Sequence, residues 1–298
     1  MGELNDILQG LESALGPLSG ESSALTGGIT NRNYRVTLGG EEYVVRRPGK
    51  DTDLLGIDRG AELAANDAAA ALGLAPAVAG TVADCTITSF VACSAVGPAE
   101  VGEAVEEIAT ALRRFHDSGV ELAARFDVVA LVGRYETIVS ERGGTVPQEL
   151  IRAGSWAARI RAALSRERAR PCHNDLLAAN VIRESGSGRL MIVDWEYAGM
   201  GDRRFDLGNL AANNGFDEAT EERLLASYYG EPPSDDRRAS LKLMRVMSDV
   251  REAAWGVVQA SISDLDFDFA GYGAEHFRRL ESAVEGGDFQ EWLAVAAA

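Results

Sequence analysis

Residues 172–199 read CHNDLLAANVIRESGSGRLMIVDWEYAG. Two short apolar runs, Val181–Arg183 and Leu190–Val193, flank the turn Ser-Gly-Ser-Gly, which is the pattern of a β-hairpin. A polar loop precedes the hairpin and carries Asp175, with Asn180 five residues later; the second strand delivers Asp194 fourteen residues after Asn180. Phosphoryl transfer to a hydroxyl needs a group at the acceptor oxygen and oxygen ligands that hold Mg2+ against nucleotide phosphates. Asp175 suits the first task. Asn180 and Asp194 suit the second, because Mg2+ takes few protein ligands and keeps waters. His173 is either a base or a hydrogen-bonding brace for the loop, and the brace is the better expectation.

Outward toward the N-terminus, residues 3–15 have helical period. TGGITNRNYRVTLGGEEYVVRRPG follows at 26–49, with an alternating strand on each side of Gly39-Gly40, so a hairpin is expected. Gly27, Gly28, Thr30, Asn31 and Asn33 precede its first strand. Backbone N–H groups in such a stretch can approach phosphates, although a plain hairpin tip reads the same way. Arg46 ends Tyr-Val-Val-Arg, where kinase folds place a phosphate-pairing cation, and Glu62 on the next helix (57–72) is its expected partner. Strands are expected at 78–82 and 86–91. Phe90 and Val91 close the second and are expected to line an adenine pocket.

The texture changes after Gly97-Pro98. Helices are expected at 99–117, 147–167, 218–230, 235–262 and 270–285. The chain therefore divides into a small sheet-rich unit, 1–95, and a larger helical unit, 96–298, that carries the hairpin.

Composition bounds the function. With 298 residues and 46% hydrophobic residues the chain can bury a large core. A net charge of -17 speaks against a nucleic-acid partner, which needs basic surface, and allows a cationic substrate. Three scattered cysteines form neither a disulfide framework nor a zinc motif. No apolar run reaches membrane-spanning length, and the acidic start lacks the form of a signal peptide. A cytoplasmic protein is expected.

His173–Asn180 resembles the HxDxxxxN motif of the aminoglycoside phosphotransferase and choline kinase superfamily. Asp194-Trp195-Glu196-Tyr197-Ala198 and Asp206-Leu207-Gly208-Asn209 are similar to two signatures of choline/ethanolamine kinases, and Trp255–Ser263 resembles their late helix. The resemblance extends over nearly the whole chain. It implies an α+β, bilobal protein-kinase-like fold with a small β-rich N-lobe and a larger, mainly helical C-lobe. It also implies ATP, Mg2+ and transfer of the γ-phosphate to a small cationic amino alcohol. Asp175 would be the catalytic residue, Asn180 and Asp194 the metal ligands, and Asp206 a buried brace. Tyr197 and Trp255 match aromatic walls of the cation site. Glu196 stands beside that wall or in the metal's shell. Eukaryotic choline kinases carry a second tryptophan one turn before Trp255, where this chain has Glu252; an acidic family position falls on Asn213. A carboxylate in the pocket keeps ethanolamine, thiamine, an aminoglycoside or another alcohol open beside choline.

Overall fold

The computed structural model describes residues 2–25, 31–49 and 51–298, without the side chains of 2–6, 8 and 95. Gly27, Gly28 and Thr30 lie outside the described residues. Helix α1 (Gly2–Leu15) leads into strand β1 (Leu18–Leu25), then β2 (Arg32–Leu38) and β3 (Glu41–Arg47). Helix α2 (Arg59–Ala71) and strands β4 (Val78–Val82) and β5 (Cys85–Ser89) complete an antiparallel sheet of order β1-β2-β3-β5-β4. Val36, Leu38, Val45 and Ile87 point inward with Leu11 of α1 and form this lobe's core. Gly39 turns the β2–β3 hairpin at φ 61, and a Cβ there would lie 2.3 Å from the Leu15 carbonyl oxygen. Strand β1 was not expected: its inner six residues are all exposed, so it has no apolar alternation to read.

Strand β6 (Cys93–Ala95) was assigned by sequence to the first unit. It pairs instead with β8 (Val181–Glu184), beside β9 (Leu190–Ile192), in the sheet of the second lobe. Residues 90–92 run from β5 of the first sheet to β6, and the strand expected at 86–91 stops at Ser89. The helix expected at 99–117 is two: α3 (Pro98–Glu103) and α4 (Val105–His116), separated where Ala104 leaves helical ψ. Next come α5 (Val128–Glu141), α6 (Gln148–Ala163), and β7 (Arg170–Cys172), which pairs with β10 (Gly199–Gly201). Helix α5 was not expected, because VVALVGRYETIVSE is rich in β-branched residues. Asp127 caps it, and burial of Val128, Val132, Tyr135, Ile138 and Val139 holds it in place.

Helices α7 (Arg203–Asn213), α8 (Glu218–Tyr229), α9 (Asp235–Ile262), α10 (Phe269–Glu285) and α11 (Phe289–Ala296) complete the chain. The 28-residue α9 runs through this lobe and packs against α5, α6, α7, α10 and α11. No described helix is long and apolar enough to cross a membrane.

Helices α7 and α9 approach each other at Gly208. A Cβ there would lie 2.5 Å from the carbonyl carbon and Cβ of Met244. Gly208→Ala is expected to lower stability by about 2–3 kcal/mol in denaturant unfolding, by forcing the helices apart. Gly133→Ala, in open space on α5, is expected to raise it by ~0.5–1 kcal/mol.

Candidate active site

The loop 173–177 is buried but belongs to no sheet or helix, so its backbone donors must find partners elsewhere. Asp206, in the first turns of α7, provides two. Its Oδ2 accepts from the His173 backbone N–H at 2.8 Å, and its Oδ1 from that of Asn174 at 2.7 Å. His116 of α4 joins the same carboxylate at 2.9 Å and reaches the Tyr228 hydroxyl with its other nitrogen. Burial pushes the Asp206 carboxyl up, but His116 and the His173 N–H outweigh it and hold it below the ordinary range. One helical turn on, Asn209 accepts from the Leu176 N–H at 2.5 Å. Asn214 donates to the Leu176 carbonyl at 3.1 Å.

His173 is a brace. Its Nδ1 accepts from the Asp175 N–H at 3.2 Å, so its Nε2 carries the proton and donates to the Val193 carbonyl at 3.0 Å. The ring is buried edge-on against Trp195, and burial lowers its pKa to about 4. Both ring nitrogens are engaged in hydrogen bonds, and burial favours the neutral ring. Asn174 and Asp194 both sit at left-handed φ, 66 and 65, which short polar side chains tolerate best.

Asp175 lies at the centre. The Asn180 amide donates to its carbonyl at 2.8 Å and approaches its Oδ2 at 3.4 Å. Arg251 of α9 donates to its Oδ1 at 3.1 Å. Burial raises the Asp175 carboxyl to about 7; Arg251 opposes this, and Glu252, Asp194 and Glu196 reinforce it.

On one side of this centre the two lobes meet through charge. Arg46 of β3 is ion-paired with Glu62 of α2, lies 2.6 Å from Asp194, and lies 3.6 Å from Glu196. Glu62 also receives Arg59 at 2.6 Å and the Thr86 hydroxyl at 3.2 Å. Asn31 donates to Glu196 at 3.0 Å, and Arg59 lies 3.7 Å from it. Glu196 therefore faces the cations of the first lobe and not the aromatic wall. The low dielectric of the interface draws this carboxylate to Arg46 and Arg59. Asn33 is in register with Arg46 on the neighbouring strand. The half-buried Phe90 takes the Arg35 guanidinium over its ring at 4.1 Å, and Val91 follows in the crossing segment.

The donor set fits Mg2+. Asn180 spends its nitrogen on Asp175, which leaves its side-chain oxygen for a cation, and Asp194 gives only one carboxylate oxygen to Arg46. Hard oxygen donors of this kind are the ligands Mg2+ takes.

On the other side, Trp255 donates to the Tyr197 hydroxyl at 2.9 Å and packs edge-on against Phe269 and Tyr272. Glu252 accepts from Tyr272 at 2.8 Å and from Arg251 at 2.8 Å. Tyr197, Glu252 and Trp255 are thus brought together, as expected. Asn213 is not joined to them by any hydrogen bond among the described residues; its Nδ2 is buried without a partner at the end of α7. Sequence reading missed Arg59, His116 and Arg251. Arg251 had a signal: an Arg-Glu pair within a helical stretch whose other residues are apolar enough to be buried all round.

The profile of the phosphotransferase enzyme family matches residues 21–241. Ethanolamine kinase 2 of Mus musculus is 31% identical over 127 residues, covering 36% of this chain and 33% of that one. The match thus spans about a third of that relative's length. A probable choline kinase 1 of Arabidopsis thaliana is 24% identical over 324 residues, covering 93% and 92% of the two chains. The crystal structure of a choline/ethanolamine kinase family protein from Mesorhizobium loti superposes with a TM-score of 0.83 at 27% identity, over 99% and 98% of the two chains. The fold is the expected two-lobed, kinase-like α+β fold.

The buried His173 has a measurable signature. Its pKa falls from an unfolded value near 6.5 to about 4, so between those values the unfolded chain binds more protons. Its contribution is whole above pH 6.5 and is lost as the pH falls toward 4. The stability advantage of the wild type over His173→Asn should shrink by about 3 kcal/mol from pH 7 to pH 4 in urea unfolding.

Proposed function

This chain belongs to the phosphotransferase enzyme family, and on that premise we propose that it is a Mg·ATP-dependent kinase acting on the hydroxyl of a small cationic amino alcohol, of choline or ethanolamine type. One observation carries the reading. Asp175 stands between Asn180, on the side of Arg46 and Asp194, and the cluster of Arg251, Tyr197, Glu252 and Trp255. A hydroxyl delivered from that cluster meets Asp175 beside the phosphate side.

In the proposed reaction Asp175 orients the hydroxyl and accepts its proton. A carboxyl raised to about 7 is matched to that task near neutral pH. Arg46, held by Glu62, clamps the nucleotide phosphates with a fork-shaped guanidinium. Asn31 and Asn33, at the start of β2, border the phosphate cover. Phe90 and Val91, at the crossing between lobes, line the adenine. Asn180 and Asp194 would hold Mg2+, which supplies charge neutralisation at the phosphates when bound. His173 keeps the loop in shape and moves no proton. The acceptor's cationic end is received by Tyr197, Trp255 and Glu252. The place of work on this reading is the cytoplasm, where ATP is supplied.

An ADP-release assay over choline, ethanolamine, thiamine and kanamycin tests the acceptor. Turnover is expected with choline or ethanolamine; kanamycin alone as substrate would overturn the reading. Asp175→Asn should lower kcat by about 10³-fold or more and leave ATP affinity within about threefold. Activity that survives the substitution would remove Asp175 from its role.

A further inference from the structure

The cation site of the proposed function is already filled by the protein itself. Arg251 is 2% exposed. Its guanidinium carbon lies 4.3 Å over the centre of the Tyr197 ring. Its Nη1 donates to both Asp175, at 3.1 Å, and Glu252, at 2.8 Å. An aromatic face and two carboxylates are what a bound ammonium would require, and all three are spent on this side chain.

The fit is incomplete in an informative way. A guanidinium has five N–H donors. Those on Nε and Nη2 are buried with no partner among the described residues. The site therefore matches the charge of its occupant but only part of its hydrogen bonding, and a buried unpartnered donor is unfavourable. An alkylated ammonium, with few N–H groups or none, takes the same aromatic face and the same negative charge and leaves nothing unpaired. Without any cation, the buried Asp175 and Glu252 would stand uncompensated in low dielectric.

We propose that Arg251 is a resident stand-in for the acceptor's cation, an inference that rests on the amino-alcohol reading of this site. While the site is empty, Arg251 neutralises Asp175 and Glu252. The acceptor's alkylammonium displaces it from the Tyr197 face, and the same exchange frees Asp175 from its ion pair as the hydroxyl arrives. Arg251 is thus a specificity-determining residue that acts through competition. It scales the apparent affinity for every cation by the fraction of time that it leaves the site free. Cations that offer more to the ring and the carboxylates than a guanidinium does are the ones admitted.

Tetramethylammonium tests this without turnover, because it has no hydroxyl and no N–H. Its binding is read by the fluorescence of Trp255, which lines the site, with Trp255→Phe as the control for assignment. Arg251→Met should bind tetramethylammonium about tenfold tighter than the wild type, because the tethered competitor is gone. Arg251→Lys, which keeps a cation, should stay nearer the wild type. Thermal melts report whether each variant folds. If Arg251→Met does not, Arg251→Gln keeps an N–H for the two carboxylates and should show the same direction. Equal or weaker binding in the folded neutral variant overturns the proposal. If the wild type phosphorylates choline or ethanolamine and the variant shows no tightening, the stand-in role alone falls. If no form binds tetramethylammonium and no amino alcohol is turned over, the acceptor reading falls with it.

Discussion

The carboxylate of Asp206 holds the loop 173–177 in place. It takes the backbone N–H groups of His173 and Asn174 and is itself held by His116. A buried loop with a left-handed residue at Asn174 has no strand or helix partner to satisfy it, so a side chain must do so. Charge-assisted bonds to two consecutive N–H groups fix both the position and the curvature of the loop. His173 then ties the loop to the end of the hairpin through Val193, next to Asp194. The placement of Asp175 relative to Asp194 therefore depends on a residue that is hydrogen-bonded to neither.

The same helix links the loop to the acceptor side. Gly208 lets α7 lie against α9 at backbone distance, and Asn209 joins the loop to Ser248 of α9. Arg251, Glu252 and Trp255 follow on that helix. Two charge clusters flank the loop: the partly buried Arg46-Arg59-Glu62-Asp194-Glu196 between the lobes and the buried Asp175-Arg251-Glu252 below them. Buried ion pairs are poor sources of stability, because desolvation offsets most of the attraction. In the proposed reaction they keep opposite charges ready on the two sides of Asp175, so that a phosphate and a cation each find a partner.

Much of this was legible in the sequence, and the reasons differ by element. Asp175, Asn180 and Asp194 were readable because their spacing is fixed by a short loop and a tight hairpin. The Arg46–Glu62 pair was readable because strand and helix are adjacent in the chain. Strand β1 was hidden by its exposure, and α5 by β-branched residues that tertiary packing overrides. Of the two places that the sequence left open to Glu196, the structure puts it on the side of Arg46 and Asp194, while its neighbour Tyr197 reaches the aromatic wall; only the three-dimensional path sends the two side chains to opposite clusters. Arg251 was missed because nothing in a helical period says which buried charge will stack on a ring 54 residues away in sequence.

Amide hydrogen exchange at His173 and Asn174, in the wild type and in Asp206→Asn, tests the central constraint most directly. Both amides should be strongly protected in the wild type. In the variant their protection should fall by about 100-fold relative to amides of α10, because two charge-assisted bonds are lost where Asn offers one neutral acceptor. Protection at both positions that is unchanged by the substitution would contradict the placement of Asp206 at the root of the site.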